Sequence, residues 1–539
     1  MEVRSIMQQI RIKNIRSLED TGNIPLAPIT LLVGENSSGK STFLRTFPLL
    51  KQSITKKTDG PILWAGDVDD YVDFGSFKET ITDGSNGRME ICFTFQTFLL
   101  ERISLRWFDD SLFDGREANQ IYYSIIIDEY LDKEDVSEVK IIIDSSEFDI
   151  QLPRNREDDF TLLVDGEKFL ISPESKTRLK SQNKDYYFWY FSRIDNRSIF
   201  GYTLPDLLTY ANDQLRKIAK LQVRNTTDDS VSLVLIGEAL VKGAPLAEVG
   251  AYFSKISIHQ DRSANIIKRI NTIVNKAKQI FEADQKRFAC ACKILFFITC
   301  FSQIDGYVNE YFHRVHYIAP LRATAERYYR LRNSAIDEVD YQGKNLAIFL
   351  NSLDNKRMKR FQSWTQKSFG FSATVQKNVG HLSVAIFREG FNKEINLSDT
   401  GFGYSQILPI ITQLWELSTR NRVNQHSSLD VIPLVVAIEQ PELHLHPAMQ
   451  GRLAKAFIAC IKLAKDNGYQ LQLLLETHSQ TMVDYFGRAV ARNELSTSDI
   501  AVVLFERDGS TGHTNVRKTE YDSFGMLKDW PIGFFEPEE

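Results

Sequence analysis

The stretch GENSSGKS at residues 34–41 sets two glycines, a lysine and a serine in the spacing G-x-x-x-x-G-K-[ST]. A strand-like run, APITLLVG, leads into it, and a run with helical spacing of apolar residues, KSTFLRTFPLLK, leaves it. In that setting Gly34, Glu35, Asn36, Ser37, Ser38, Gly39, Lys40, Ser41 and Thr42 form a loop whose backbone N–H groups curl around phosphates at a helix N-terminus. Lys40 is expected to reach the β- and γ-phosphates of ATP, and the Ser41 hydroxyl to ligate Mg2+. The bland reading, a glycine-rich turn with a surface lysine, leaves the flanking strand and helix unexplained.

A second stretch, PLVVAIEQPELHLHP, is an apolar strand ending in Glu439. Its carboxylate is expected at the carboxyl edge of the sheet, where open α/β folds bind ligands, and with Ser41 it would hold the Mg2+ shell. The next residue is Gln440, whose amide orients a water but has no useful basicity. Positioning and electrostatics supply most of phosphoryl-transfer catalysis, so hydrolysis is expected to be slow rather than absent, with His478 or Glu442 partly substituting. His444 and His446 beside Glu442 make no zinc spacing and are expected to pack at a subunit interface. Glu439 follows Lys40 by about 400 residues, so a large insertion separates the two motifs.

The elements that must position these residues are legible in outline. The chain has 539 residues, too many for one ordinary domain. It is 43% hydrophobic and 25% charged with a net charge of −5, which excludes a strongly basic nucleic-acid binder but not a local basic groove. Five cysteines without framework or zinc spacing suit a reducing cytosol, and ILFFITCF, the densest apolar run, is too short to span a bilayer. A cytoplasmic protein without membrane contact is the expectation.

Between about residues 87 and 200, short β-like runs (MEICFTFQTF, IYYSIIIDEY, VKIIIDSS, FTLLVDGEKFLI, DYYFWYF) are separated by Asp, Gly, Asn and Ser, the mark of antiparallel sheet. From Leu207 the pattern turns helical, with an apolar stripe at Ile266, Ile270, Ile273, Val274, Ala277, Ile280 and Phe281 that is read as core or dimer face. After Val315 strand-like and helical runs alternate (LSVAIFR, QILPIITQLWELS, PLVVAI, LQLLLE, IAVVLFE), which predicts a parallel sheet covered on both faces. The expected class is α/β: a mixed, largely parallel sheet plus an antiparallel β lobe, with an inserted helical region. Three stretches follow: 1–205 with the phosphate loop and antiparallel strands, 206–315 helical, and 316–539 with the second set of motifs.

The order of these motifs resembles the ABC-type P-loop ATPase heads of the RecF, SMC and OLD-like group. IRIKNIRSLED is similar to the group's opening strand and N-F-R-S turn, and YVDFGSFKETI and YIAPLRATAERYY resemble segments of its prokaryotic AAA-type members. LSDTGFGYSQILPI resembles the signature loop, though it departs from the usual L-S-G-G-[QE] form, and LLLETHS resembles the switch-histidine strand. The likeness covers both ends of the chain and fades between about residues 90 and 310. It implies a homodimer through an ATP sandwich, with Lys40, Ser41 and Glu439 of one subunit facing Gly401, Gly403, Ser405 and Gln406 of the other. It also implies that His478 senses the γ-phosphate and that Arg16 and Ser17 touch the nucleotide.

About 60 residues follow His478, which leaves no room for the Toprim nuclease of OLD-type relatives. The nuclease-free member most similar in length and in IEQPELHLHP is the PtuA ATPase of Septu antiphage systems. That resemblance implies a separate HNH nuclease partner, and in retron versions a reverse transcriptase with its RNA–DNA hybrid. The alternative is a RecF-like DNA clamp, for which NKRMKRFQSWTQKSFGF interleaves basic and aromatic residues as phosphate contacts and base stacking require. The competing reading of that segment is a solvated amphipathic helix.

Overall fold

The computed structural model describes residues 6–56, 58, 60–67, 70–97, 99, 118–130, 133–154, 158–171, 211, 227–254, 261–331, 338–388, 393–419 and 432–530. The chain divides into two compact units, each assembled from separated stretches. One comprises Met1–Lys13, Ser53–Leu63 and Asp83–Glu310; the other comprises Asn14–Gln52, Trp64–Thr82 and Tyr311–Glu539. Reading along the chain groups the phosphate loop with the antiparallel strands of 1–205. The contacts instead group the loop with the C-terminal half, and those strands with the helices of the expected 206–315 stretch.

The second unit is built on a six-stranded sheet in the order Val315–Ile318, Leu434–Glu439, Leu471–Glu476, Ile29–Gly34, Ile500–Arg507, Thr514–Thr519. All neighbours are parallel except the last pair, which is antiparallel. Leu434–Glu439 and Leu471–Glu476 are buried along their whole length, as near-continuous Leu, Val and Ile runs require when both sheet faces are covered. On one face Leu31, Val436, Leu473 and Val502 join a core with the helices Phe402–Thr419, Pro447–Asp466 and Gln480–Ala491. On the other, helix Lys40–Thr55 sets Phe43 against Phe505, with ring centroids 5.9 Å apart. The expected α/β class with a largely parallel sheet is the one observed.

LSVAIFR does not join that sheet. It lies in His381–Arg388, paired antiparallel with Phe371–Asn378 through a hairpin at Gly380, where φ is +75°. A tight turn at a left-handed glycine forces antiparallel pairing, a local signal that overrides the α/β alternation on either side. Helix Asn355–Phe369 packs beside this sheet, N-capped by Asp354 and ended by Gly370 at φ +79°. Phe361 and Phe369 are buried, and Trp364 packs against the same core, with a ring 5.6 Å from Phe369. The aromatics expected to stack on bases are core residues. The solvated amphipathic reading fits, with Lys356, Lys359, Arg360 and Lys367 on the exposed side.

The first unit carries the antiparallel sheet, in the order Glu167–Ile171, Phe160–Val164, Ser146–Gln151, Lys133–Ile143, Asn119–Tyr130, Arg88–Thr97, Ile6–Ile15. The Asp165–Gly166 turn between its first two strands has φ +50° and +82°, the two left-handed positions that a D-G hairpin provides. Helix Glu282–His313 is long and apolar enough to cross a membrane by length and composition, yet most of it is buried in the fold. Phe297 stacks on Phe148 of the sheet at 4.6 Å, and Tyr307 on Phe95 at 4.6 Å. The stripe from Ile266 to Ala277 is buried along helix Asp261–Ala277. It does not extend to Phe281, which is 85% exposed, because the helix ends first and a new one starts at Glu282. The expected strand DYYFWYF lies outside the described residues.

Candidate nucleotide site

Every residue below belongs to the second unit. Strand Ile29–Gly34 ends in the loop, and helix Lys40–Thr55 begins at the lysine itself. Gly34 sits so tightly against the neighbouring strand that a Cβ there would lie 2.1 Å from the Phe505 carbonyl oxygen. Gly39, at φ +91°, is closed in by Leu18, Ser17 and Thr514, with a built Cβ 3.1 Å from the Ser17 hydroxyl. Gly34 is therefore required by space, and Gly39 by its left-handed backbone among crowding side chains. The loop between them exposes Glu35, Asn36 and Ser37, while Ser38 is buried and donates to the Glu35 carbonyl at 2.8 Å.

Lys40 is 2% exposed, and its ammonium donates to the Glu35 carbonyl and, at 3.3 Å, to Ser38 Oγ. Burial lowers its pKa, partly offset by the charges of Glu476 and Glu35. A cation enclosed by a loop that faces solvent on one side is suited to an anionic ligand. Thr42 lies two residues beyond Lys40 on the helix and is buried.

The parallel register sets Glu439 directly beside Glu476, each at the end of its strand. Glu439, 2% exposed, receives two hydrogen bonds from Arg45, Nε at 2.7 Å and Nη2 at 2.8 Å, and one from the Tyr317 hydroxyl at 2.7 Å. The pairing raises the Arg45 pKa, chiefly through its hydrogen bond to Glu439. The Ser41 hydroxyl donates not to Glu439 but to Glu476 Oε1, at 2.7 Å. Glu476 is 2% exposed, and its Oε2 is buried without a hydrogen-bond partner among the described residues. Burial, reinforced by the charge of Glu439, pushes its pKa up to about 7, against the opposing effects of Ser41, Lys40 and Arg45.

Gln440 occupies a left-handed backbone at φ +42°, uncommon for a side chain of this size. Its N–H donates to the Glu476 carbonyl at 2.9 Å, and its own carbonyl accepts from Arg322 Nη2 at 3.3 Å. The same Arg322 nitrogen is 2.8 Å from the Glu439 carbonyl, so one guanidinium pins both sides of the turn. Arg322 is 4% exposed, its Nε and Nη1 have no partner among the described residues, and burial lowers its pKa to about 10 despite the nearby charges of Glu442 and Glu439. Glu442 accepts from the His478 backbone N–H at 2.7 Å, which ties the loop after Gln440 to the loop after Glu476. Burial and then the charge of Lys40 lower the His478 imidazole pKa to about 4.

The remaining expected residues fall around this centre. Arg16, at φ +52°, lies over the Phe74 ring at 4.4 Å, and its pKa is lowered first by burial and then by the charge of Arg45. Ser17 accepts from the Thr514 hydroxyl at 2.9 Å, directly behind Gly39. Gly401 is exposed at the start of helix Phe402–Thr419, with Gly403 on its first turn. Ser405 and Gln406 turn inward: Ser405 donates to the Phe402 carbonyl at 2.7 Å, and Gln406, 2% exposed, donates to the Arg322 carbonyl at 3.3 Å. His444 stands edge-on to the exposed Phe402 ring at 4.9 Å, and His446 caps helix Pro447–Asp466 by accepting from the Ala448 N–H at 3.2 Å.

Glu476, Arg45, Tyr317 and Arg322 were not singled out by sequence reasoning. Glu476 had a signal: LLLE is an apolar strand ending in a carboxylate, the same pattern that marks Glu439 in VVAIE. Arg45 lies four residues after Ser41 and so shares its helix face.

With this geometry in view, the chain matches the AAA ATPase domain description over residues 6–483. It belongs to the AAA ATPase domain family. Membership makes it a P-loop ATPase that binds ATP. No curated protein matches the chain. Among solved structures it is similar to the Smc head domain with a coiled coil and joint derived from Pyrococcus yayanosii, at 11% identity, 95% of this chain, 97% of that one and a TM-score of 0.31. It is also similar to the SMC head domain from Thermotoga maritima, at 10% identity, 95% of this chain, 98% of that one and a TM-score of 0.33. Likenesses this distant leave the site's arrangement to this chain's own geometry.

The donor set fits the Mg2+ that accompanies ATP. Ser41 Oγ and the strand-end carboxylates are hard oxygen ligands, and the buried Glu476 Oε2 lacks a partner. Among the described residues no cluster of three or more His, Cys, Asp or Glu side chains is gathered for a metal.

Proposed function

We propose that the protein is an ABC-type ATPase that binds ATP at residues 34–42, hydrolyses it slowly, and uses the bound state as a clamp between two copies of the chain. The observation that carries the reading is the enclosed Lys40 and Ser41 at a helix N-terminus, opposite the paired strand ends of Glu439 and Glu476. The loop amides and Lys40 bind the phosphates, and Ser41 with the strand-end carboxylates would hold Mg2+, which when bound would supply charge neutralisation at the phosphates. Gln440 and His478, each tied by its backbone to the neighbouring carboxylate loop, orient the attacking water. Neither is a strong base: one is an amide, and burial, with the charge of Lys40, lowers the imidazole pKa to about 4, so it holds a proton poorly. Slow turnover follows from that pair.

Gly401 and Gly403 open a helix toward solvent and offer N–H groups to a partner's γ-phosphate, with Phe402 and His444 beside them for the interface. Ser405 and Gln406, turned inward, act in this reading by shaping that turn. Arg16 and Ser17 border the loop and contact the nucleotide.

The resemblance to PtuA extends the proposal to a separate HNH nuclease governed by the clamp in antiphage defence, with a reverse transcriptase and its RNA–DNA hybrid in retron versions. The DNA-clamp alternative retains only phosphate contacts from the exposed lysines and arginines of Asn355–Phe369, since the aromatics are claimed by the core. Fluorescent ATP titration tests the core reading. The natural protein should bind with Mg2+ and Lys40→Ala should lose at least tenfold, whereas equal affinity of the two would refute it. Light scattering with ATP should then show dimers that Lys40→Ala does not form.

A further inference from the structure

We propose that Arg322 is a positioning residue for hydrolysis: it ties the Gln440 turn to the helix that begins at Phe402, so that docking of a second copy on that helix sets the water-orienting side chain. It rests on the ATP-bound clamp proposed above and adds how one nucleotide site answers to the other. Three observations carry it. Arg322 Nη2 donates to the carbonyls on both sides of the turn, Glu439 at 2.8 Å and Gln440 at 3.3 Å. The Arg322 carbonyl accepts in turn from Gln406 Nε2 at 3.3 Å, on the first turn of the helix that Gly401 and Gly403 open. One buried residue thus touches both the turn facing the chain's own nucleotide and the helix offered to a partner's. Finally, Arg322 Nε and Nη1 and Glu442 Oε2 are all buried without a hydrogen-bond partner among the described residues. Burial lowers the Arg322 pKa, and the charge of Glu442 is the largest influence opposing it, so these unpaired groups are neighbours.

Leaving a buried donor and a buried acceptor unpaired side by side is costly, and closing the pair recovers that cost. Gln440 meanwhile sits at φ +42°, a backbone that a side chain of this size keeps only under constraint. Glu442 Oε1 accepts from the His478 N–H at 2.7 Å, so a movement of Arg322 reaches both Gln440 and His478. A phosphate docked by the second copy at Gly401 and Gly403 shifts the start of the helix. Gln406 carries the shift to Arg322, and the guanidinium closes on Glu442. The turn then holds Gln440 and His478 in the hydrolytic setting only while the second copy is engaged. Among the described residues the hydrogen bonds of Arg322 run to Glu439, Gln440 and Gln406 and not to residues 34–42, so it acts on the rate and not on ATP affinity.

The test compares the natural protein, Arg322→Leu and Arg322→Lys by fluorescent ATP binding, light scattering and steady-state hydrolysis over a range of ATP. The natural protein should hydrolyse ATP with a Hill coefficient above about 1.5, its paired sites acting together. Arg322→Leu should bind ATP within about threefold of the natural affinity and still dimerise, while kcat falls at least about tenfold and the Hill coefficient drops to about 1. Arg322→Lys keeps donors for the two carbonyls but cannot span them and Glu442 together. It should recover at least about threefold in kcat over Arg322→Leu, with a Hill coefficient still near 1. If the natural protein neither binds ATP nor dimerises with it, the clamp reading fails and this inference with it. If it does both, the inference alone is overturned by a natural Hill coefficient of about 1, by an Arg322→Leu variant that matches the natural kcat and cooperativity, or by one that loses affinity as much as rate. Should Arg322→Leu not fold, Arg322→Lys decides: affinity kept with cooperativity lost supports the inference, and natural cooperativity overturns it.

Discussion

Replacing Arg45 by methionine tests how the site is held together. The Glu439 carboxylate is 2% exposed and depends on Arg45 for two hydrogen bonds, at 2.7 and 2.8 Å. Removing one partner of a buried pair typically costs about 3–5 kcal/mol, because the remaining charge is left without compensation. Here two features reduce the figure. Arg45 is 36% exposed, so solvent already screens part of the attraction, and Tyr317 still donates to Glu439. The expected loss is therefore about 2–3 kcal/mol. Urea unfolding followed by far-ultraviolet circular dichroism would measure it, read as the shift of the transition that melts the parallel sheet. Adding Glu439→Gln to Arg45→Met removes the orphaned charge, so the double variant should recover at least half of the loss. A loss below about 0.5 kcal/mol, or a double variant no more stable than Arg45→Met, would refute the claim that this pair anchors the helix.

Three other outcomes follow from the geometry. Gly34→Ala drives a Cβ to 2.1 Å from the Phe505 carbonyl, so it should cost about 3 kcal/mol or more in thermal unfolding and weaken nucleotide binding at least tenfold. Arg322→Leu should change global stability by less than about 1 kcal/mol, since two of its buried nitrogens are already unsatisfied among the described residues, yet amide exchange at Gln440, Glu442 and Leu443 should accelerate as the clamp on the Glu439 and Gln440 carbonyls is lost. Burial acts to raise the Glu338 pKa, but hydrogen bonding from His316 at 2.7 Å, with the charges of His316 and Lys51, outweighs it and holds the carboxyl at about 2. Its folded value lies below the ordinary 4.5, so its stabilising contribution is complete above that pH and is lost as pH falls toward 2. Acid titration of Glu338→Gln should show a shallower decline across that window.

The parts of the fold that were legible in the sequence are those set by local rules. GENSSGKS between a buried strand and a helix could be read directly, because the loop's glycines and its enclosing elements are contiguous. Glu439 was legible for the same reason, as the end of an apolar run. The choice of Glu476 as partner of Ser41 was not, since it depends on Leu471–Glu476 lying between the other two strands, a register fixed by the whole sheet. The inward turn of Gln406 toward Arg322 joins residues 84 apart and had no local signal. Phe281 and the buried aromatics of Asn355–Phe369 misled for opposite reasons. A helix stop before Phe281 ended an apolar stripe that periodicity alone would continue, and aromatic residues on a basic helix were claimed by the core. The interleaving of the two units was hidden too, because the segments Ser53–Leu63 and Trp64–Thr82 go to different units with no change of composition between them.

The most direct test of the ATP clamp is single-turnover hydrolysis measured alongside oligomeric state, on the natural protein and Gln440→Glu. The natural protein should dimerise with ATP and hydrolyse it slowly. Gln440→Glu, with a carboxylate on the same left-handed turn, should turn over at least tenfold faster and dissociate sooner. Brisk hydrolysis by the natural protein, or a Gln440→Glu variant no faster than it, would contradict the clamp.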